Sequence, residues 1–266
     1  ILNNELQTQI ERNGDHLITL DPALNQVKQN EQIEYLVKKK VDAIFLNPVD
    51  WKKIRSGLKA AKKAHIPIIV IDAPVYDKDL VDVTIVSDNY RAGVQCAKDM
   101  MKRKKNAKIA LLTHIEAKSA VDRIRGFTDT IEGHEEYQVI ASTDTQGQIE
   151  RSLPKVEKLL KQYQEIDVIM ALNDPAAMGA LAALDSQDRL EGVLVYGIDG
   201  SPEAKKLIEN DMMTGTSAQF PKKMGRTAIE TAYKILKGEN VKSYITTPVK
   251  LITSDNIDAV DIERWQ

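Results

Sequence analysis

The chain is poor in the residues that most often carry chemistry. Its 266 residues include one cysteine and four histidines, and aromatic residues make up 5% of the sequence. With Cys96 alone, a disulfide within the chain is impossible, and its place in an amphipathic segment that starts near Tyr90 predicts a buried, inert thiol. The histidines lie far apart and lack the spacing of metal ligands: His16, His65, His114 and His134. We predict no disulfide and no metal site.

Several other features are absent as well. The net charge is −2, from 37 Lys and Arg against 39 Asp and Glu, and no basic face rich in aromatic residues indicates a nucleic-acid partner. No apolar run approaches the roughly 20 residues of a transmembrane helix, so a membrane span is not predicted. The glycine-rich phosphate loops, H-E-x-x-H and G-x-S-x-G are missing. The sequence therefore nominates no enzyme, no catalytic residue and no cofactor.

What the sequence does contain is a strand, loop, helix and strand between residues 166 and 200. The apolar run from 166 to 172 ends at Asn173, an Ala-rich segment of helical spacing follows, and a second apolar run ends at Asp199. Asp174 is placed to cap the helix, with Pro175 at its first position. Two polar side chains are thus expected at the carboxyl edge of neighbouring strands, where open α/β sheets bind ligands.

The first part of the chain repeats this layout. V-D-A-I-F-L-N-P-V-D matches the stretch around Asn173, and I-P-I-I-V-I-D-A matches the stretch around Asp199. Asn47 and Asp72 consequently recur at nearly the same separation as the later pair. The repetition favours a duplicated α/β unit, although any two strand–helix–strand units share some likeness.

Apolar strands alternate with amphipathic helices along the chain, which favours parallel sheets with helices on both faces. We predict an early strand at 16–21 and a late one at 248–252. The helix and strand after Gln219 look like pieces that return to the first half. The predicted fold is two similar doubly wound parallel-sheet lobes, joined by a multi-strand hinge, with a ligand cleft between them. The expected domains are 1–87 plus 220–250 and 88–219 plus 251–266.

Seven short motifs together resemble the periplasmic sugar-binding proteins of the ribose-binding type, which are the solute receptors of ABC importers. They occur in order along the chain: N-P-V-D at 47–50, I-D-A at 71–73, V-S-D-N at 86–89, R-x-x-G-F at 123–127, N-D at 173–174, G-I-D-G at 197–200 and A-Q-F-P at 218–221. Each motif alone is weak, but their order along nearly the whole chain is specific.

The resemblance implies that five side chains grip sugar hydroxyls, namely Asp72, Arg123, Asn173, Asp199 and Gln219. The chemistry is sensible by itself, because a sugar hydroxyl donates to a carboxylate and accepts from a guanidinium or amide. A structural reading competes at some of these positions, since the two aspartates could cap helices and the asparagine could only shape its loop. Weaker candidates are Trp51, His114 and Gln146.

Two departures from the family pattern affect the expected site. The chain opens inside the helix that should follow the first strand, so we expect roughly 20 further residues ahead of Ile1, which would carry part of the site. The second departure is T-D-T-Q-G-Q-I at 143–149, where the family commonly places an aromatic ring and this chain has Gln146 and Gly147. The stacking wall is then missing or supplied by another ring such as Trp51 or Tyr76.

The resemblance implies an extracytoplasmic receptor, periplasmic or a cell-surface lipoprotein. It would act as a monomer that captures a small sugar or polyol by hinge closure and delivers it to the membrane permease of an ABC importer. One alternative is the ligand-sensing core of a lactose-repressor-type regulator. A second is an extracellular sensor domain of a signalling system, and an enzyme on a doubly wound sheet is a third. A helix-turn-helix or a signal peptide before Ile1 would separate the first alternative from the receptor.

Overall fold

A computed structural model describes residues 1–266 of the chain, which form two compact units. Each unit is an α/β structure with its own sheet, and the chain passes between the units several times. The first unit comprises residues 1–87, 116–119 and 220–247, and the second comprises 88–115, 120–219 and 248–266.

The first unit is built on a four-stranded parallel sheet. Its strands are β1 (Ile44–Leu46), β2 (Ile68–Asp72), β3 (Val83–Ser87) and β9 (Tyr244–Thr247), in the spatial order β1-β2-β3-β9. Its helices are α1 (Leu2–Arg12), α2 (Gln26–Lys39), α3 (Arg55–Lys63) and α9 (Pro221–Leu236), with a short 3-10 helix at Lys78–Leu80.

Alternating side chains of β2 explain why helices cover both faces of this sheet. Ile69 and Ile71 pack on one side against α1 and α9, whereas Ile68 and Val70 pack on the other side against α2 and α3. Successive strand residues point to opposite faces, so a strand that is apolar throughout must be covered on both. The I-I-V-I run thus requires the layered arrangement that is observed.

The second unit is built on a six-stranded sheet in the spatial order β10-β8-β7-β6-β4-β5, in which only β10 is antiparallel. The strands are β4 (Ala107–Thr113), β5 (Tyr137–Asp144), β6 (Val168–Ala171), β7 (Leu194–Asp199), β8 (Gly215–Ala218) and β10 (Lys250–Thr253). The helices are α4 (Asn89–Arg103), α5 (Lys118–Ile131), α6 (Ile149–Gln162), α7 (Asp174–Asp185) and α8 (Pro202–Glu209), and a 3-10 helix lies at Ile257–Ala259.

Helices α4 and α5 cover one face of the second sheet and meet unusually closely. A Cβ atom added to Gly93 in α4 would lie 1.9 Å from the Arg123 carbonyl oxygen, and one added to Gly126 in α5 would lie 2.0 Å from the Tyr90 carbonyl oxygen. The two backbones therefore touch at a pair of glycines. This contact fixes the position of Arg123, one of the predicted site residues.

Most predicted elements are confirmed, but one predicted strand is absent and another is placed in the wrong unit. Residues 16–21 form no strand, because β1 pairs only with β2 and no strand lies beside the segment to complete its hydrogen bonds. The strand predicted at 248–252 is observed as β10 at Lys250–Thr253. The helix after Gln219, α9, does return to the first unit, but β10 does not. It pairs with β8, from Lys250 opposite Ala218 to Thr253 opposite Gly215, and so covers an edge of the second sheet. The strand that joins the first sheet, β9, was not predicted.

The predicted burial of Cys96 is confirmed. Its side chain is fully buried in the second core, and its Sγ donates a weak hydrogen bond to the Gly197 carbonyl oxygen at 3.8 Å. Burial raises the pKa of this thiol, so the reactive thiolate is disfavoured. The residue acts as a small apolar side chain of the core.

The close contact of α4 with α5 predicts the effect of one methyl group. Gly93→Ala should lower the free energy of unfolding by about 1–3 kcal/mol, because the added carbon overlaps backbone that cannot yield. The matched control is Gly225→Ala in α9, where the new Cβ meets the flexible Glu5 side chain at 3.1 Å and stability should change by less than about 1 kcal/mol. Urea unfolding followed by circular dichroism measures both. Equal stabilities would contradict the packing account.

Candidate ligand-binding site

Five parallel strands of the second sheet end at one edge, and a polar residue lies at or just after the end of each. In the order of the sheet from β8 to β5 these are Gln219, Asp199, Asn173, His114 and Gln146. Five of the eight predicted site residues are thus placed on one edge by the topology, and Arg123 reaches the same edge from α5. Asp72 and Trp51 lie in the first unit.

Arg123 is the side chain that joins this edge together. It is only 5% exposed. Its Nε donates to Asn89 Oδ1 at 2.8 Å, and its Nη1 donates to the Leu172 carbonyl oxygen at 2.9 Å and, at 3.4 Å, to Asp199 Oδ1. The guanidinium therefore touches the start of α4, the end of β6 and the end of β7. A buried cation needs such acceptors to offset its lost hydration.

Asp199 also contacts Gln219. We call Arg123, Asn89, Asp199 and Gln219 the Arg123 cluster. Gln219 Nε2 donates to Asp199 Oδ1 at 2.6 Å, and the Gln219 backbone N–H donates to the Asp199 carbonyl oxygen at 2.9 Å. Gln219 is 8% exposed and its buried Oε1 has no hydrogen-bond partner. A buried acceptor without a partner costs about 1–3 kcal/mol. A hydroxyl donor placed there would remove that cost.

The backbone at Asp199 is strained. Its φ of +145° lies outside the region that non-glycine residues prefer, and Gly200 follows at φ +73°. Strain of this kind persists only where surrounding contacts enforce it, and it concentrates at functional positions. Asp72 in the first unit shows the same feature, with φ +72° at the last residue of β2. The two aspartates that the sequence pairs by position therefore share an unusual backbone.

Asn173 is engaged with its own loop. Its Oδ1 accepts from the Ala176 backbone N–H at 3.0 Å and so caps α7, and its Nδ2 donates to the Gly147 carbonyl oxygen at 3.1 Å. Asn173 therefore shapes its loop, which is the structural role that the sequence left open as an alternative to ligand binding. One amide hydrogen and further lone pairs remain for a ligand. Arg123 reaches the neighbouring Leu172 carbonyl oxygen, which places Asn173 beside the cluster.

His114 and Gln146 lie on the same edge but make no hydrogen bond to the cluster around Arg123. Gln146 has φ +51°, and its backbone N–H donates to Asp144 Oδ1 at 2.9 Å, as in an Asx turn. Thr145 beside it is fully buried, and its Oγ1 has no hydrogen-bond partner. Sequence reasoning missed this threonine, because nothing in T-D-T-Q-G-Q-I distinguishes a buried hydroxyl from an exposed one.

In the first unit, Asp72 accepts a hydrogen bond at Oδ2 from Asn47 Nδ2 at 3.0 Å. Asn47 follows β1 and is exposed. Trp51 and Tyr76 form an edge-to-face pair with ring centroids 5.7 Å apart, and the Tyr76 backbone N–H donates to the Trp51 carbonyl oxygen at 2.8 Å. Tyr76 is 63% exposed. The first unit thus carries an aromatic pair on the loops that follow the same two strands.

Asn47 and Asn89 were not among the predicted site residues, although both occur in the motifs N-P-V-D and V-S-D-N. Each touches a predicted residue, Asn47 through Asp72 and Asn89 through Arg123. The signal that could have found Asn47 was the repeat itself, since Asn47 matches Asn173. No group of three or more His, Cys, Asp or Glu side chains is arranged to hold a metal.

Comparison with known proteins decides the family. The sequence profile of the periplasmic binding protein domain matches residues 1–240. The chain belongs to this family. Its relatives include the ribose import binding protein of Salmonella typhimurium, 30% identical over 254 residues that span 94% of this chain and 84% of that one. The xylitol-binding protein of Mycolicibacterium smegmatis is 26% identical over 233 residues, 86% of this chain and 66% of that one.

Solved structures agree with the fold. An ABC transporter solute-binding protein from Agrobacterium vitis, crystallised with bound D-fucose, superimposes with a TM-score of 0.90 at 26% sequence identity. The match covers 97% of this chain and 91% of that one. The ribose-binding type of periplasmic receptor inferred from the motifs is confirmed.

As a member of a periplasmic binding protein family, the chain is a solute-binding receptor and not an enzyme. The comparisons give no support to the repressor-core or sensor-domain alternatives. None of its helices is both long and apolar enough to span a bilayer.

The contact between Gly147 and the Asn173 side chain can be tested without a ligand. Gly147→Ala should displace the Asn173 side chain, because the new Cβ would lie 2.7 Å from Asn173 Nδ2. Gly192→Ala is the matched control, with a similar φ of +82° but open space around the new carbon. Both substitutions should cost about 1 kcal/mol of backbone strain, and only the first should shift the Asn173 side-chain amide signals in an NMR spectrum. Unmoved signals in Gly147→Ala would contradict the described contact.

Proposed function

We propose that this receptor captures a small sugar or polyol outside the cytoplasm and delivers it to the membrane permease of an ABC importer. The observation that carries the proposal is the contact of Arg123 and Gln219 with one carboxylate, that of Asp199, at the carboxyl edge of the second sheet. Ligands of open α/β sheets bind at this edge.

The cluster offers the chemistry that neighbouring hydroxyls require. A sugar hydroxyl both donates and accepts, so Asp199 takes a donated hydrogen while the Arg123 guanidinium returns one. Bonds to charged partners are shorter and stronger than neutral ones. The buried Gln219 Oε1 supplies one more acceptor. The cluster therefore favours a neutral ligand with adjacent hydroxyls.

The first unit supports the proposal with a second polar pair. Asn47 and Asp72 are hydrogen-bonded at the ends of β1 and β2, and they offer an amide and a carboxylate to the same kind of ligand. The exposed Tyr76 ring beside Trp51 could pack on the apolar face of a sugar ring. Capture by hinge closure requires a ligand that binds the closed form more tightly than the open form, because only differential affinity shifts a conformational population.

The relatives support the ligand class and its destination. Ribose, xylitol and D-fucose, which occur in their names, are small, neutral and rich in hydroxyls. We propose this class of ligand for the chain, and we do not propose any single compound of the class. The same relatives support delivery to an importer and a location in the periplasm or on the cell surface. A monomer suits a receptor that must close and then dock.

Calorimetric titration with a panel of pentoses, hexoses and polyols tests the proposal. At least one compound should bind with a Kd near 1 μM, equivalent to about 8 kcal/mol, which several charge-assisted hydrogen bonds can supply after the cost of ordering. The absence of binding across the whole panel would overturn the proposed ligand class.

Asp199→Asn should weaken the binding of that sugar by about 30-fold or more, because the loss of a charge-assisted hydrogen bond costs about 2 kcal/mol. The control is Asp185→Asn, which makes the same chemical change at an exposed position near the end of α7. It should leave the Kd within a factor of two. Calorimetry on both variants measures the difference, and equal affinities would remove Asp199 from the site.

A further inference from the structure

Asp174 is a fully buried carboxylate next to the site, and it forms no salt bridge. It follows Asn173 directly as the first residue of α7. Its Oδ2 accepts from the Ser201 backbone N–H at 2.8 Å, and its Oδ1 accepts from Thr216 Oγ1 at 2.6 Å. Burial raises the pKa of this carboxyl, while the hydrogen bonds from Thr216 and Ser201 act in the opposite direction. The cations Arg123 and Lys205 interact with this carboxyl electrostatically but do not form an ion pair with it. A carboxyl group buried this deeply calls for a structural reason.

The reason is not helix capping, because other side chains already perform it. Asn173 caps α7 through the Ala176 N–H, and the Ser201 hydroxyl caps α8 by accepting from the Ala204 N–H at 3.1 Å. Asp174 instead reaches across from α7 to the turn that follows β7 and to β8. It therefore ties together three separate parts of the chain.

The turn held by Asp174 is the one that begins at Asp199. Thr216 Oγ1, which donates to Asp174, also accepts from the Gly200 backbone N–H at 3.0 Å. Two consecutive backbone N–H groups after Asp199 are thus held, one by Thr216 and one by Asp174 itself. This hydrogen-bonded chain explains how the strained φ of Asp199 is maintained.

Two glycines make room for this arrangement. A Cβ atom at Gly197 would lie 2.5 Å from Asp174 Oδ1, and one at Gly200 would lie 2.3 Å from the Ala218 Cβ. Gly200 also needs its φ of +73°. The G-I-D-G motif therefore places Asp199 between one glycine that admits the carboxylate of Asp174 and another that completes the turn.

We propose that Asp174 and Thr216 are positioning residues, which hold the turn after β7 so that the Asp199 carboxylate stands against Arg123 and Gln219. The proposal rests on the proposed function, because it assigns these two residues to the presentation of a ligand-binding carboxylate. It explains the buried carboxyl group, the two glycines and the strained backbone together.

Thr216→Val tests the proposal by removing the hydroxyl while keeping the shape of the side chain. It should weaken sugar binding about tenfold, and Thr216→Ser, which keeps the hydroxyl, should restore affinity to within about threefold of the original. The matched control is Thr214→Val, because Thr214 Oγ1 accepts from the Val195 backbone N–H at 2.9 Å at the opposite end of the same two strands. It should lower the melting temperature with little change in Kd.

A double-mutant cycle separates positioning from general destabilisation. If Thr216 acts through Asp199, Thr216→Val should change the Kd by less than about threefold when Asp199→Asn is already present. Additive losses in the cycle would overturn the proposal, as would an unchanged Kd in Thr216→Val. Asp174→Asn serves as a second variant, since its amide cannot accept both hydrogen bonds. All titrations are made well below the melting temperatures.

The outcomes also separate this inference from the proposed function. A wild-type protein that binds no sugar of the panel contradicts the proposed function itself. A wild-type protein that binds a sugar, with affinities unaffected by Thr216→Val and Asp174→Asn, contradicts only the positioning role.

Discussion

The buried guanidinium of Arg123 is the interaction on which the polar edge of the second unit depends. Its nitrogens reach Asn89, the Leu172 carbonyl oxygen and Asp199, which belong to three different elements. A buried cation is destabilising unless hydrogen-bond acceptors surround it. The three elements must therefore keep the spacing at which each of them reaches the guanidinium. The same contacts leave a carboxylate and an amide side by side at the end of a parallel sheet.

The backbone around this cation supplies the rigidity. Gly93 and Gly126 bring α4 and α5 into direct contact, and that contact sets where the Arg123 side chain begins. On the opposite side of the carboxylate, Asp174 and Thr216 hold the turn that contains Asp199. Both members of the charged pair, Arg123 and Asp199, are therefore held in position by their own neighbours. A receptor that must select among similar polyols benefits when its polar groups are fixed before the ligand arrives.

The sequence predicted the α/β class and the polar strand ends, because buried parallel strands are apolar throughout and stop abruptly at Asn173 or Asp199. It failed where the answer depends on partners distant in the chain. Residues 16–21 have the composition of a strand but no neighbour to pair with, and β10 covers the free edge of β8 instead of joining the first sheet. The role of Asp174 was equally hidden, since a first-turn aspartate looks like an ordinary cap until Thr216 and Ser201 are seen beside it.

The most direct test of the account is a crystal structure of the protein with the tightest-binding sugar of the panel. The account predicts that sugar oxygens lie within hydrogen-bonding distance of the Asp199 carboxylate and the Arg123 guanidinium, about 2.6–3.2 Å away. A sugar bound elsewhere on the molecule, with both of these side chains untouched, would contradict it.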